Sequence, residues 1–220
     1  MGNPAKSLRA LLTGVVDYAG LFPPASLDLP AAKRNYAAYR DGEWAWMLGR
    51  FVVPAAKVGD VDPSWPLAVL HTQPRRMEVA GAVTYYEIGL DESLPAQGRA
   101  KIRLGGETIP DSAAIARFLK TAAQARVPFK ATAGLHHPLP NPPMHGFVNL
   151  FVAAAAAWRG EDPLPALDAE TFRFDDDAVE WRGRRVSTAE LRDVRENFAI
   201  SFGSCSFEEP IADLKVLGWL

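Results

Sequence analysis

Short apolar runs separated by helical patterns recur along this chain, and that rhythm leaves few architectures open to it. Residues 14–20 (GVVDYAG), 44–53, 67–71, 84–89, 100–104 (AKIRL) and 127–133 each read as a strand. Residues 26–40, 112–126 and 147–158 read as helices, the first two behind the N-cap candidates Ser26 and Asp111 or Ser112. In the second helix Ile115, Phe118, Leu119 and Ala122 fall on one side, as amphipathic packing requires. Strands that alternate with helices build βα units and a mainly parallel sheet. The rhythm breaks at residues 171–186, TFRFDDDAVEWRGRRV, which read as a β-hairpin inserted around an acidic turn. Ser187-Thr188-Ala189-Glu190 then resembles a capping box before a helix to about residue 198. Residues 199–203 read as a last strand and 208–217 as a last helix.

Seven or eight parallel strands in 220 residues predict one α/β domain over residues 1–220, an irregular or incomplete (β/α)8 barrel of the TIM type. The irregularity is expected between His71 and Thr84, a stretch too short for a full crossover helix. An open doubly wound α/β sheet is the alternative, though the chain has neither a G-x-G-x-x-G nor a G-x-x-x-x-G-K-[ST] fingerprint.

A net charge of −2 with dispersed basic residues argues against a nucleic-acid partner. The longest apolar run, 147–158, is too short to span a bilayer, and the N-terminus has no extended apolar core. The single cysteine, Cys205, excludes an internal disulfide and fits a reducing compartment. A cytoplasmic protein with a small-molecule substrate and no membrane partner is therefore expected, with homo-oligomerisation left open.

Nearly every strand carries a polar residue: Asp17, Arg50, His71, Glu87, Lys101 with Arg103, Lys130 with Thr132, and Ser201. Taken singly, each reads as a solvated edge position. Taken together, they predict a shared polar interior near the C-terminal mouth, because isolated charges are costly in apolar strands covered by helices.

The sharpest segment is residues 127–145, VPFKATAGLHHPLPNPPMH, a strand that opens into a loop holding three of the four histidines. Alternation places Lys130 and Thr132 on one face and Phe129, Ala131 and Ala133 on the other. Adjacent cations and partial desolvation make a lysine amine nucleophilic near neutral pH, and such an amine condenses with a carbonyl compound. Lys130 is the expected nucleophile, with Glu87 as proton carrier, Asp17 as a catalytic carboxylate at the mouth, and His136 and His137 as acid, base or rim ligands. Lys101, Arg103, Arg50, Thr132, Ser201 and Ser204 are expected to hold a phosphate or carboxylate on the substrate. Pairing of Lys130 with a buried carboxylate such as Glu87 or Asp17, purely to join strands, is the structural alternative.

The FKATAG segment at residues 129–134 resembles the K-T-S-T-G strand segment of deoxyribose-phosphate aldolase and related class I aldolases on (β/α) barrels. The resemblance covers about six residues and implies a Schiff-base role for Lys130 and a carbon–carbon lyase activity without cofactor. The family's second lysine lies on the following strand, whereas KIRLGG at residues 101–106 lies on the preceding one.

Two other functions compete. His71, His136, His137 and His145 are a candidate divalent-metal set for a hydrolase or isomerase, although no H-x-H or H-E-x-x-H spacing is present. A non-catalytic barrel would bind an anionic metabolite through Lys101, Arg103 and the turn at residues 201–206, SFGSCS, read as an anion nest at a helix N-terminus.

Overall fold

The computed structural model describes residues 3–72, 76–79 and 83–220. Eight strands close into a barrel: β1 (Val16–Tyr18), β2 (Leu48–Pro54), β3 (Leu67–His71), β4 (Arg76–Val79), β5 (Val83–Ile88), β6 (Arg99–Arg103), β7 (Phe129–Thr132) and β11 (Ala199–Ser204). Around the circle they follow the order β1-β11-β7-β6-β5-β4-β3-β2, which excludes the open sheet. Neighbours pair in parallel except on either side of β4, which runs against β3 and β5. The barrel is therefore of mixed orientation, which corrects the expectation of parallel strands throughout. The reason is chain length. Only residues 72–75 connect β3 to β4, whereas a parallel crossover needs about a dozen residues or more. The short stretch after His71 is taken up by an extra strand rather than by a stunted helix.

Helices α1 (Lys6–Leu12), α2 (Leu29–Arg40), α3 (Ser112–Gln124), α4 (Phe147–Trp158), α5 (Leu164–Leu167), α6 (Thr188–Asn197) and α7 (Glu208–Val216) complete the domain core. Helix α3 begins where expected, with the Asp111 carboxylate accepting from Ala114 N at 2.7 Å. Helix α2 begins two residues later than expected. Ser26 is left-handed at φ +44°, and Asp28 caps instead, accepting from Ala31 N at 2.7 Å. Residues 147–157 of α4 are buried on every side, as an all-apolar helix demands. No helix among the described residues is long and apolar enough to cross a membrane.

The expected hairpin is a three-stranded antiparallel sheet of β8 (Arg173–Phe174), β9 (Ala178–Trp181) and β10 (Arg184–Ser187). It does not protrude: Val179, Trp181 and Val186 are buried in the main apolar cluster. The capping box at the start of α6 is complete, with Ser187 Oγ accepting from Glu190 N and the Glu190 carboxylate accepting from Ser187 N at 2.8 Å. Replacing Ser187 with alanine should therefore cost about 1 kcal/mol, read as a lower urea midpoint at unchanged slope.

Pleat alternation divides the barrel into two environments. Outward residues such as Val16, Phe51, Ile102, Phe129, Ala131 and Phe202 join the helices in one large apolar core. Inward residues Val52, Ala68, Met77, Val79 and Tyr85 form a second, separate cluster inside the barrel. Lys130 and Lys101 share this inward sense, so their charge needs partners within the barrel itself.

Candidate functional site

Register brings the site together. Glu87 lies opposite Lys101, Lys101 opposite Lys130, and Arg103 opposite Thr132 on β5, β6 and β7. All of these side chains line a cavity of about 580 Å³ at the mouth where the parallel strands end. Its other walls come from the loops after β1, β6, β7 and β11 and from Val52, Leu70 and Met77.

Two lysine–carboxylate pairs form the floor. Lys130 Nζ donates to Asp17 Oδ2 at 2.5 Å, and both side chains are only 1 % exposed. Asp17 is held from three further directions: Ser201 Oγ donates to Oδ2 at 2.7 Å, Arg50 N donates to Oδ1 at 2.9 Å, and Arg50 Nη1 stands 3.6 Å away. Burial alone would raise the Asp17 carboxyl, but the Lys130 and Arg50 charges and their hydrogen bonds outweigh it and hold it below its ordinary value. Met77 Sδ approaches Lys130 Nζ at 3.5 Å from β4.

The second pair is built differently. Lys101 Nζ donates to Glu87 Oε2, and Arg103 Nη1 lies 3.9 Å from Glu87 Oε1. Lys101 is 5 % exposed and Glu87 17 %, so this pair opens onto the cavity more than the Lys130 pair does. Burial, followed by repulsion from Lys130 and Arg103, pushes the Lys101 ammonium below its ordinary value against the opposing pull of Glu87. The lysine that the surroundings shift toward the neutral amine is thus Lys101.

At the opposite end, Arg195 of α6 closes the barrel. Its guanidinium donates to the carbonyl oxygens of Leu11 at 2.7 Å, Thr13 at 2.9 Å, Ala199 at 2.5 Å and also Ile200. Burial pulls its pKa down to about 10. Arg99 and Tyr85 add a 3.0 Å hydrogen bond inside the barrel. Sequence reading missed these residues because nothing local marks an arginine on an otherwise amphipathic helix as a plug.

The histidines do not assemble. His136 lines the cavity, and its Nδ1 stands 2.9 Å from Glu209 Oε2. His137 turns instead to Asp213, with Nδ1 to Oδ2 at 2.5 Å. Glu209 and Asp213 are four residues apart on α7, one face of which receives both adjacent imidazoles. His145 contacts the Pro110 carbonyl oxygen at 2.7 Å and His71 contacts Glu78 at 3.1 Å, neither within the cavity lining. Among the described residues no group of three or more His, Cys, Asp or Glu side chains has the arrangement of a metal site.

The hydroxyls of the turn at residues 201–206 are engaged within the protein. Ser201 is spent on Asp17, Ser204 Oγ accepts from Ser206 N at 3.3 Å, and Ser206 Oγ accepts from Glu209 N at 3.1 Å. The first turn of α7 carries Glu208 and Glu209, whose charge repels an anion at that end. Ser204 and Cys205 line the cavity, while Arg50 and Ser201 act on it only through Asp17.

Backbone crowding shapes the mouth. A Cβ on Gly105 would lie 2.7 Å from Gly134 Cα, and one on Gly134 would lie 2.5 Å from the Leu104 carbonyl oxygen. Gly134 has φ +69°, and Ala133 before it also sits in the left-handed region at φ +60°. Strain of this kind is stored where loops are held in place for function. Gly134→Ala should cost about 1–3 kcal/mol and distort the loop that carries His136, seen as a lower unfolding midpoint and weakened ligand binding.

No protein-family model, curated protein or solved structure matches this chain, so what the site does is read from its own residues.

Proposed function

We propose that the protein is an enzyme acting on a small carbonyl compound that bears a carboxylate or phosphate, through an imine on the lysine pair of the cavity floor. The observation that carries this reading is Lys101: a buried amine shifted toward neutrality, hydrogen-bonded to Glu87 and facing a cavity. A nucleophile with an adjacent base is the arrangement covalent catalysis needs. The mouth of the barrel where strands end, with one βα unit replaced by the β3–β4–β5 meander, fits an irregular TIM-type barrel and its usual site location.

Sequence reading placed the imine on Lys130. The geometry favours Lys101, because Lys130 is clamped by a carboxylate that itself has no route to solvent. In this scheme the neutral Lys101 amine attacks the carbonyl carbon. Glu87 passes the ammonium proton to the carbonyl oxygen, making it a hydroxyl, and a second proton taken up from solvent at the cavity mouth leaves with that hydroxyl as water, so that the imine forms protonated. The protonated imine then draws electrons from a neighbouring carbon–carbon or carbon–hydrogen bond, which is lyase or isomerase chemistry. The Lys130 charge adds to burial in lowering the Lys101 ammonium, while Arg103 holds the anionic group.

Reduction with borohydride in the presence of a panel of small aldehydes and 2-oxo acids tests this directly. The expected result is one stable adduct, mapped by peptide mass to residue 101. An adduct on Lys130 would reverse the two lysines' roles, and adducts confined to surface lysines would end the imine reading.

A further inference from the structure

The cavity has two unlike halves. From β1 to β4 its wall is made by Ala19, Phe22, Val52, Leu70 and Met77. Among the described residues no titratable side chain from those four strands or the loop after β1 lines the cavity, since Asp17 of β1 lies buried beneath it on Lys130. From β5 through β6 to β7 the wall carries Glu87, Lys101, Arg103, Lys130 and Thr132, and β11 adds Gly203 and Ser204. Because barrel order is β1-β2-β3-β4-β5-β6-β7-β11, the strand-borne apolar and charged residues of the cavity occupy two continuous arcs that face each other, with Ile109 and Met144 entering from the loops beyond the charged arc. The apolar arc is the open edge of the inner cluster of Val52, Met77 and Tyr85, with Phe22 and Leu70 packed on it.

A phosphorylated triose fills only part of about 580 Å³ and leaves the apolar arc facing water, at a cost. Lys101 and Arg103 are two residues apart on one strand, a spacing of about 6.6 Å between their Cα atoms. Their side-chain tips converge on the two oxygens of one carboxylate, Glu87, which brings amine and guanidinium close enough to meet a carbonyl and an anionic group bonded directly to it, the head of a 2-oxo acid.

We infer that the ligand is a 2-oxo acid with an apolar side chain, its carboxylate on Arg103, its ketone at Lys101 and its side chain against Phe22, Val52, Leu70 and Met77. The inference depends on the function proposed above for the ketone alone. The apolar arc is an independent feature of the barrel.

Calorimetric titration of the full chain with pyruvate, 4-methyl-2-oxopentanoate, phenylpyruvate and glyceraldehyde 3-phosphate tests it. Burying an additional ~60 Å² of apolar surface is worth about a factor of ten in affinity. Phenylpyruvate should therefore bind at least tenfold tighter than pyruvate, with 4-methyl-2-oxopentanoate between them. Phe22→Ser should remove most of that gain and weaken pyruvate far less than phenylpyruvate, with circular dichroism confirming the fold. Arg103→Gln should weaken all three 2-oxo acids by a similar factor. In Lys101→Met the preference for the apolar side chain should persist, so failed trapping with this preference intact sinks the imine and not the ligand class. Pyruvate or glyceraldehyde 3-phosphate binding as tightly as phenylpyruvate, or none of the four binding, would overturn the inference.

Discussion

Lys101→Arg should abolish turnover of the carbonyl substrate, by a factor on the order of 10⁴–10⁶, while leaving the protein folded. Arginine keeps a cation and a donor beside Glu87 but forms no imine, so the chemistry is removed while the contact to Glu87 is kept. Under the proposed imine chemistry the native protein should show a rate that climbs with pH as the Lys101 ammonium loses its proton. The midpoint of that rise is expected below the ordinary lysine value of 10.5, because burial and the neighbouring Lys130 lower the ammonium pKa. The measurement is a pH–rate profile paired with borohydride trapping. Full activity in the arginine variant would remove Lys101 from the reaction.

The largest stability effect is expected at Lys130. Lys130→Met should cost about 3–5 kcal/mol, because it strands the Asp17 carboxylate in the barrel with Arg50 as its nearest remaining cation, at 3.6 Å. For a chain of this size that is a fall in melting temperature of roughly 10 °C. Replacing both partners, as in Asp17→Leu with Lys130→Met, should recover a good part of the loss, since no buried charge is then left alone. Two single variants whose costs simply add would show that the pair is not coupled.

The pH dependence of stability has a definite sign. The Asp17 carboxyl is depressed below 3.8 in the fold, so its contribution is complete above that value. It is lost as pH falls through the lower folded-state value, and acid unfolding should set in there. In Asp17→Asn that acid-sensitive component should disappear. Lys101 acts the other way. Its lowered pKa is a cost to the folded state at neutral pH that is relieved as pH rises toward 10.5.

Much of the barrel is legible in local pattern. The strand at 67–71 and the helix at 147–158 stand where apolar spacing puts them, and the Asp111 cap and the Ser187–Glu190 box are local motifs with local consequences. Strand β4 is the element that pattern missed. Arg-Met-Glu-Val at residues 76–79 is four residues of alternation beside a larger expectation of βα units, too brief to stand out. The four histidines looked like a cluster because three share one loop, yet the backbone turns each to its own neighbour.

Alternation alone determined which face Lys130, Lys101, Glu87 and Asp17 would share, because a pleated strand sends every second side chain the same way. Which lysine meets which carboxylate was decided only by closure of the barrel. Lys130 and Asp17 are 113 residues apart in the chain, and they become partners because β11, lying between β1 and β7, brings the two strands within reach across Ser201. Closure likewise set the apolar cavity residues of β2 to β4 opposite the charged ones of β5 to β7, and it clamped Lys130 more tightly than Lys101. A residue's direction is written in its nearest neighbours, but its partner and its exposure depend on strands far away in sequence, which no local period records.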